Sequence, residues 1–402
     1  MKKVADIFLE EIAREEKAIN LIASESPIPC LCLPYLGSNL HQKYAEGYPG
    51  RRYYNGCKVI DELENACIAN ICKNFKTKFA NVQPHSGSTA NQAVFRAAQN
   101  YFMEKYLDDV SENGIPTISM TLEAGGHLSH FSAPSFKNKV CENTFFCKRS
   151  TYGLNQDGSF DLTNLHSWIE YNKFGIIVVG CSSYPLDIPY KEIAEMLGKY
   201  QQRDYWIVFD VSHIAGLVVA ELKENPMEIY FPNCRKVLTS TTHKTFGGIR
   251  HAVICWNGED LSPYINHAVF PELQGGANFA IISALAVWSE WINEHKHIYK
   301  IIQNNILTNL QKLIEPLKDK LVFGKSTNHL ALVRCKSKKH AQLVADTLEK
   351  SNIIVNVNSM YDNTWGIRIG SAYETLKLDG DIAWSQIGQY INYLIDNIED
   401  PK

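Results

Sequence analysis

No apolar run in the 402-residue sequence approaches the ~18 residues needed to span a bilayer. The most apolar stretch of that kind, Ile176-Ile177-Val178-Val179, reads as a buried strand instead. The N-terminal MKKVADIFLEEIAREEKAINL spreads acidic residues through an amphipathic pattern. It lacks the apolar centre and cleavage site of a signal peptide, so a cytosolic protein is expected. Charge of one sign is not in excess either, since 40 Lys and Arg stand against 43 Asp and Glu for a net charge of −3. That excludes a whole-protein field for holding nucleic acid or an anionic membrane, and partners must be read from local sites. Internal repeats and low-complexity tracts are missing, and 45% hydrophobic with 21% charged residues excludes wholesale disorder, collagen-like sequence and coiled coil. Cysteine is plentiful at 11, but the count is odd, and Cys181, Cys234 and Cys255 lie in or beside apolar strand-like runs. Buried thiols suit them better than a disulfide framework. Cys30-Leu-Cys32 lacks the second ligand pair of a zinc site, so no metal is expected.

What is present is enough chain for two or three domains. An amphipathic N-terminal arm is followed by a loop-rich stretch, Ser24 to Cys57, dense in Gly, Pro and Tyr. From there to about residue 260, strand-like and helix-like segments alternate, which predicts an α/β fold with a mainly parallel sheet. In one clear unit Ile176 to Val179 is the strand, and Ile193, Met196, Leu197 and Tyr200 mark one face of a crossover helix. The next strand, Trp206 to Phe209, ends at Asp210, where open α/β sheets bind ligands. After residue 280 the pattern changes to long helical segments with a strand pair around Leu330–Val333 and Ile353–Val355, and a last helix with Ile387, Ile391, Leu394 and Ile398 on one face. The expected organisation is an arm over 1–35, a large domain over 36–278 and a small C-terminal α+β domain over 279–402.

Asp210 and Lys244 lie 34 residues apart, about one strand–connection–strand excursion, so both reach the same edge of the sheet. A carboxylate there needs a cationic partner, and a lysine in the Ser/Thr-rich turn Thr239-Ser240-Thr241-Thr242-His243-Lys244 can form a Schiff base once it sheds its proton. The pair suits pyridoxal 5'-phosphate, with the acid on the pyridine nitrogen and the amine on the aldehyde carbon. From spacing alone, a helix-capping Asp and a surface Lys fit as well. Ser86-Gly87-Ser88-Thr89 precedes a helical run, where exposed N–H groups and hydroxyls make an anion site, though Ser before a helix is also simply a good N-cap. His127, after two glycines, can stack on a planar cofactor or move a proton; His127 and His130 as a metal pair have no third ligand. Arg368, within Gly366-Ile367-Arg368-Ile369-Gly370, is the carboxylate clamp to expect for an amino acid, or else a strand's solvated face. Glu46, in the tyrosine-rich loop, is an acid–base candidate or a surface carboxylate.

Taken together, LIASES (21–26), KYAEGYPGRRYYNGC (43–57), NVQPHSGSTAN (81–91), GGHLSH (125–130), DVSHIAGL (210–217), TSTTHKT (239–245), AVFPELQGG (268–276) and GIRIG (366–370) resemble the serine hydroxymethyltransferase family in its order of motifs. The resemblance implies a fold type I, aspartate-aminotransferase-like enzyme using pyridoxal 5'-phosphate. It also implies a homodimer with active sites at the subunit interface. It assigns the cofactor's covalent bond to Lys244, the pyridine nitrogen to Asp210, ring stacking to His127 and the ring oxygen to His213. Ser86, Gly87, Ser88 and His243 hold the phosphate with Gly276 of a second subunit, and Ser182 and Thr241 lie beside the cofactor. Arg368 binds the substrate carboxylate with Ser24 and with Tyr54 of a second subunit, Tyr44 faces the cofactor from that subunit, and Glu46 handles a proton. Lys244, Glu46, His127 and Tyr54 are thus the implied catalytic groups. The implied reaction makes or breaks the Cα–Cβ bond of a β-hydroxy-α-amino acid, with an aldehyde or tetrahydrofolate taking the carbon unit.

Departures from the family pattern gather where substrate and folate are implied to sit. Gly248-Ile249-Arg250-His251-Ala252 replaces Gly-Pro-Arg-Gly-Gly, Gly370-Ser371-Ala372-Tyr373 replaces Gly-Thr-Pro-Ala, and Ala277, Asn55 and Phe131 stand at further altered positions. The segment between Ser359 and Gly366 is shorter than the family loop that lies along the pteridine. Against this, Glu46, Tyr53, Tyr54 and Leu122 match folate-touching positions. Folate-independent aldolase or transaldolase chemistry, or other Cα chemistry in specialised metabolism, therefore stands beside serine hydroxymethyl transfer as an expectation.

Overall fold

The computed structural model describes residues 2–130, 147–200, 202–378 and 382–400. Phe131 lies outside them. The chain forms two compact units, one of Ile28–Ser182 with Ile188–Gln303, the other of Met1–Pro27, Ser183–Asp187 and Asn304–Lys402.

The larger unit is built on a sheet of seven strands: β1 (Phe79–Asn81), β2 (Ile115–Met120), β3 (Cys147–Tyr152), β4 (Phe174–Gly180), β5 (Asp204–Asp210), β6 (Cys234–Thr241) and β7 (Ala252–Trp256). Their order across the sheet is β1-β7-β6-β5-β4-β2-β3. From β6 to β3 neighbours run parallel, while β7 is antiparallel to both β6 and β1. Every residue of β5 is buried, as expected of a strand covered on both faces. Register sets Gly180, Asp210 and Thr239 side by side at the carboxyl ends of β4, β5 and β6. A Cβ on Gly180 would stand 2.7 Å from the Cβ of Asp210, so only glycine lets β4 pass the acid at this distance.

Helix Gly87–Lys105 covers one face of the sheet with a run of small and apolar residues: Ala90, Ala93, Val94, Ala97 and Ala98 let it come close, and Phe95 and Phe102 fill the space beside β4 and β5. The crossover helix runs Tyr190–Gly198 and buries Ile193, Met196 and Leu197 as the pattern predicts. Tyr200 falls beyond its end and pairs instead with His166 at 2.8 Å. Helix Phe279–Glu294, apolar almost all round, is enclosed in this larger unit. The described cysteines are free thiols, and burial pushes the Cys234 thiol up to about 12. Among the described residues no helix is long and apolar enough to cross a membrane.

The smaller unit carries three antiparallel strands, β8 (Leu330–Arg334), β9 (Asn356–Ser359) and β10 (Trp365–Gly370), with β10 central. The strand pair expected between 330–333 and 353–355 does not form. Leu330–Arg334 pairs with β10, and Ile353–Ile354 pairs in parallel with Ile19–Asn20 from the N-terminal segment. Two-residue strands carry no pattern that could announce a partner more than 300 residues away. The final helix, Trp384–Asn397, buries Ile387, Ile391, Leu394 and Ile395, and Ile398 is its C-cap.

His251, just before β7, is fully enclosed, and its Nε2 lies 2.8 Å from the carbonyl of Val82. Burial lowers its pKa from 6.5 to about 4, against the raising effect of that carbonyl. Between these values the unfolded chain takes up a proton that the folded chain does not, so folding stability must fall as pH drops through that window. The slope is up to about 1.4 kcal/mol per pH unit. His251→Gln retains an N–H for Val82 and removes the titration; urea unfolding of this variant between pH 7 and 5 should show a shallower loss of stability than the parent, and an unchanged slope would refute the assignment.

Candidate active site

The carboxyl ends of β4, β5 and β6 converge on Asp210, which is 9% exposed. Its Oδ2 accepts from Asn91 Nδ2 at 2.9 Å and pairs with His130 Nε2 at 2.8 Å, and its Oδ1 accepts the Ser212 N–H at 3.0 Å. Burial by itself would raise the pKa of this carboxyl. The His130 hydrogen bond and the charges of His130, Lys244 and His127 outweigh it and hold the group well below the usual carboxylate range. Asn91 is held in turn, since its Oδ1 accepts from Thr239 Oγ1 at 2.6 Å and its Nδ2 also donates to Ser129 Oγ at 2.8 Å. Ser129 Oγ lies 2.7 Å from His127 Nδ1, and the Ser129 N–H donates to the same nitrogen at 3.2 Å. Thus His127, Ser129, Asn91, Thr239, His130 and Asp210 form one continuous polar network. The motif reading found its two ends, His127 and Asp210. It missed Asn91 and Thr239, and it weighed His130 only as a metal ligand.

Beside this network begins the helix Gly87–Lys105. Ser86 caps it, accepting the Thr89 N–H at 3.2 Å, while helix geometry leaves the N–H groups of Gly87 and Ser88 without intrahelical carbonyls. A Cβ on Gly87 would stand 2.5 Å from Thr241 Cγ2, so glycine is what lets the helix start approach the end of β6. Thr241 Oγ1 is buried there with no hydrogen-bond partner among the described residues. A buried hydroxyl without a partner beside helix-start N–H groups that lack intrahelical carbonyls fits an anionic group such as a phosphate. His243 follows, its pKa lowered to about 3 by burial and by the charges of Lys244 and Arg250, so its ring is neutral.

Lys244 is 8% exposed and opens a turn closed by the Gly247 N–H on its carbonyl at 2.9 Å, with Gly247 at φ 72°. The next residue anchors that turn. Thr245 Oγ1 donates to the His213 carbonyl at 2.9 Å and accepts the Gly216 N–H at 3.1 Å, and Gln303 Nε2 donates to the Thr245 carbonyl at 2.7 Å. In this way the segments carrying Lys244 and His213 are fastened to each other. Ser182 lies just past β4, and its N–H donates to the Gly125 carbonyl at 2.7 Å, tying the glycine turn before His127 to the sheet.

A second polar cluster of the larger unit gathers Tyr44, Glu46, Tyr54 and Gly276. Tyr54 Oη donates to Glu46 Oε2 at 3.1 Å, and that bond pushes the phenol pKa up. The rings of Tyr44 and Tyr54 meet edge to face at 5.7 Å. A Cβ on Gly276 would lie 3.4 Å from Glu46 Cγ and 3.9 Å from Tyr44. Of the four tyrosines of this loop three are open to solvent, with Tyr44 62%, Tyr53 75% and Tyr54 44% exposed, while Tyr48 is half-buried.

In the smaller unit, Arg368 sits at the middle of β10, 8% exposed, with Nε on Asn356 Oδ1 and Nη1 on Ser183 Oγ, each at 3.1 Å. It is therefore not on a solvated strand face. Burial lowers its pKa to about 10, so the guanidinium remains charged at neutral pH. Ser24 is half-buried, and its neighbour Ala23 lies against Gly370, whose Cβ would meet Ala23 Cα at 2.9 Å. Between β9 and β10 the chain turns tightly, with the Met360 N–H on the Thr364 carbonyl at 2.9 Å.

A model of the family described as serine hydroxymethyltransferase matches residues 1–391. Proteins named serine hydroxymethyltransferase are similar along their length. That of Ehrlichia chaffeensis is 36% identical over 97% of this chain and 89% of its own. That of Helicobacter pylori is 35% identical over 99% and 91%, and that of Campylobacter jejuni is 34% identical over 100% and 92%.

The network around Asp210 yields a direct test. Asn91→Ala removes a donor from Asp210 and from Ser129 and strands the Thr239 hydroxyl. Leaving buried polar groups unpaired should destabilise the protein by about 1–3 kcal/mol in denaturant titration. A change below about 0.5 kcal/mol would show that the network does not need Asn91.

Proposed function

Because the chain belongs to the serine hydroxymethyltransferase family, we propose that Lys244, Asp210 and the helix start at Ser86 form the cradle of its pyridoxal 5'-phosphate. The family consists of pyridoxal-phosphate-dependent enzymes that make or break a Cα–Cβ bond of a serine-type amino acid, with tetrahydrofolate as the usual co-substrate, and this chain is such a transferase. The observation that carries the residue assignment is the buried, ionised Asp210 within the electrostatic reach of Lys244. When bound, the cofactor supplies an electron sink for the bond that breaks at Cα.

The chain's own residues do the rest. Lys244 would hold the cofactor's aldehyde carbon through its amine. Asp210, fixed as a carboxylate by His130 and Asn91, keeps a proton on the pyridine nitrogen. His127, Ser182 and His213 would line the space for the ring. Ser86, Gly87, Ser88, Thr241 and the neutral His243 take the phosphate. Arg368, already oriented through Asn356 and Ser183, clamps the substrate carboxylate together with Ser24. Glu46 takes and returns the proton of the substrate hydroxyl.

Tyr44, Glu46, Tyr54 and Gly276 act in the site of a second copy of the chain. Three exposed tyrosines in one loop support a homodimer, as does the helix Val4–Lys17, which leaves Val4, Ile7, Phe8 and Leu9 exposed. The one-carbon acceptor is tetrahydrofolate. A cavity of about 450 Å³ lined by Tyr53, Phe270, Arg51 and His267 suits a flat aromatic molecule carrying carboxylates. A second reading, aldol cleavage without folate, is favoured by the tight turn at Met360–Thr364 in place of a longer loop. Lacking any basic stripe, the chain is assigned no nucleic-acid partner, and we place it in the cytoplasm.

Serine cleavage should depend on added tetrahydrofolate. Aldehyde release from serine or threonine at equal rates with and without it would move the assignment to the second reading. Lys244→Ala should abolish the visible absorption of the lysine-held cofactor, and a persisting band would sink that assignment. Arg368→Ala should raise the KM for serine about 10- to 100-fold and leave that band intact, because a charge-assisted contact of this kind is worth about 1.5–3 kcal/mol. An unchanged KM would remove Arg368 from the clamp.

A further inference from the structure

Glu46 sits on a loop that cannot hold itself in place. Its only regular structure is the pairing of Gly47–Tyr48 with Arg51–Arg52, and an isolated two-stranded ribbon is marginal in water. At Glu46 itself the loop is held by Arg52, whose side chain bonds the backbone on both sides of it. Arg52 Nη1 donates to the carbonyl of Ala45 at 2.8 Å and to that of Gly47 at 2.7 Å, the residues on either side of Glu46. The carbonyl of Glu46 itself accepts the Tyr53 N–H at 3.1 Å. Three consecutive carbonyls are therefore bonded, which restrains the backbone at Glu46.

The guanidinium is itself fixed on every side. Its Nε donates to Asp61 Oδ1 at 2.8 Å, and its Nη2 donates to Glu64 Oε2 at 2.5 Å. The Phe279 ring lies 5.4 Å away under its carbon. The side chains of Arg52 and Glu64 are 3% and 1% exposed. Gln83 Nε2 completes the frame by donating to Glu64 Oε1 at 2.8 Å and to the Gly47 carbonyl at 3.0 Å. A buried ion pair gives little net stability over apolar packing of the same volume. What it adds here is direction, because guanidinium offers five donors in a rigid fork.

We propose that Arg52 is a positioning residue for proton transfer at Glu46, with Glu64 as its anchor. This rests on the reading of Glu46 as the group that handles the hydroxyl proton. Arg52 touches no reacting atom. It fixes the backbone from which the Glu46 carboxylate reaches out, and a displacement of about 1 Å at such a group costs on the order of 100-fold in rate.

The test is a double-mutant cycle on the holoenzyme. Arg52→Lys keeps a positive charge against Glu64, but a single ammonium cannot reach two carbonyls and two carboxylates together. Its visible absorption and its KM for serine should stay within about threefold of the parent, while kcat for serine cleavage falls about 10- to 100-fold. In a Glu46→Gln background the same substitution should lower kcat by less than about threefold more, since the two residues act as one unit. An unchanged kcat in Arg52→Lys, or losses that multiply in the double variant, would overturn the inference. Glu46→Gln alone with the parent's kcat would overturn the reading of Glu46 instead, so the two failures are distinct. Should Arg52→Lys fail to fold, Glu64→Gln, which keeps an oxygen for Nη2 and loses the charge, enters the same cycle with the same expected outcomes.

Discussion

A carboxylate that must stay ionised where almost no water reaches it is the constraint from which the larger unit is organised. Asp210 closes a fully buried strand, and burial alone would protonate it. Its ionisation is sustained by donors from three separate parts of the chain: Asn91 from the helix after Ser86, His130 from the turn after the glycine pair, and the backbone at Ser212. Each donor needs its own backbone path to arrive at the same point, and the parallel sheet supplies those paths. Gly180 on the adjacent strand is part of the same requirement, because any side chain there would collide with the acid.

From this arrangement the rest of the site inherits its position. Asn91 lies one turn into the helix whose start is the proposed anion cradle, so the residue that steadies the acid also sets that helix start against β6. Thr239 at the end of β6 holds Asn91, and five residues later the same chain delivers Lys244. The distances among acid, lysine and the proposed phosphate cradle are thus linked through shared backbone rather than set one by one. The tyrosine-rich loop is tied to the segment before Ser86 through Gln83 and has an internal clamp of its own in Arg52 and Glu64.

The sequence discloses the parts of this design that repeat or alternate. β4 and β5 are legible as unbroken apolar runs, and the final helix as a stripe, because burial on both faces or on one face leaves a period in the residues. The chemistry-bearing types, Asp210, Lys244, Ser86 and Arg368, stand out by their position against those elements. Asn91, Thr239 and His130 do not, because a hydrogen-bond network is satisfied in space and leaves no spacing rule along the chain. Arg52 reads as one of two adjacent arginines in a polar loop. Its burial depends on Asp61, Glu64 and Phe279, of which the last lies more than 200 residues away. The pairing of Ile353–Ile354 with Ile19–Asn20 is hidden for the same reason.

The altered segment after Lys244 is where sequence and structure bear most directly on one another. Bulkier residues at 249 and 251 suggest a reshaped substrate pocket when read as letters. In the fold both are turned to internal use. Ile249 is buried and its carbonyl accepts from Thr242 Oγ1 at 2.6 Å, and His251 reaches the Val82 carbonyl while its own carbonyl accepts the Thr242 N–H at 3.1 Å. Gly248, kept just before them, is the position that cannot change, since a Cβ there would stand 2.7 Å from Trp288 Cδ1. These residues brace the Thr242 backbone just before Lys244 and the segment at Val82. At these two positions the departure from the family pattern serves internal packing and hydrogen bonding.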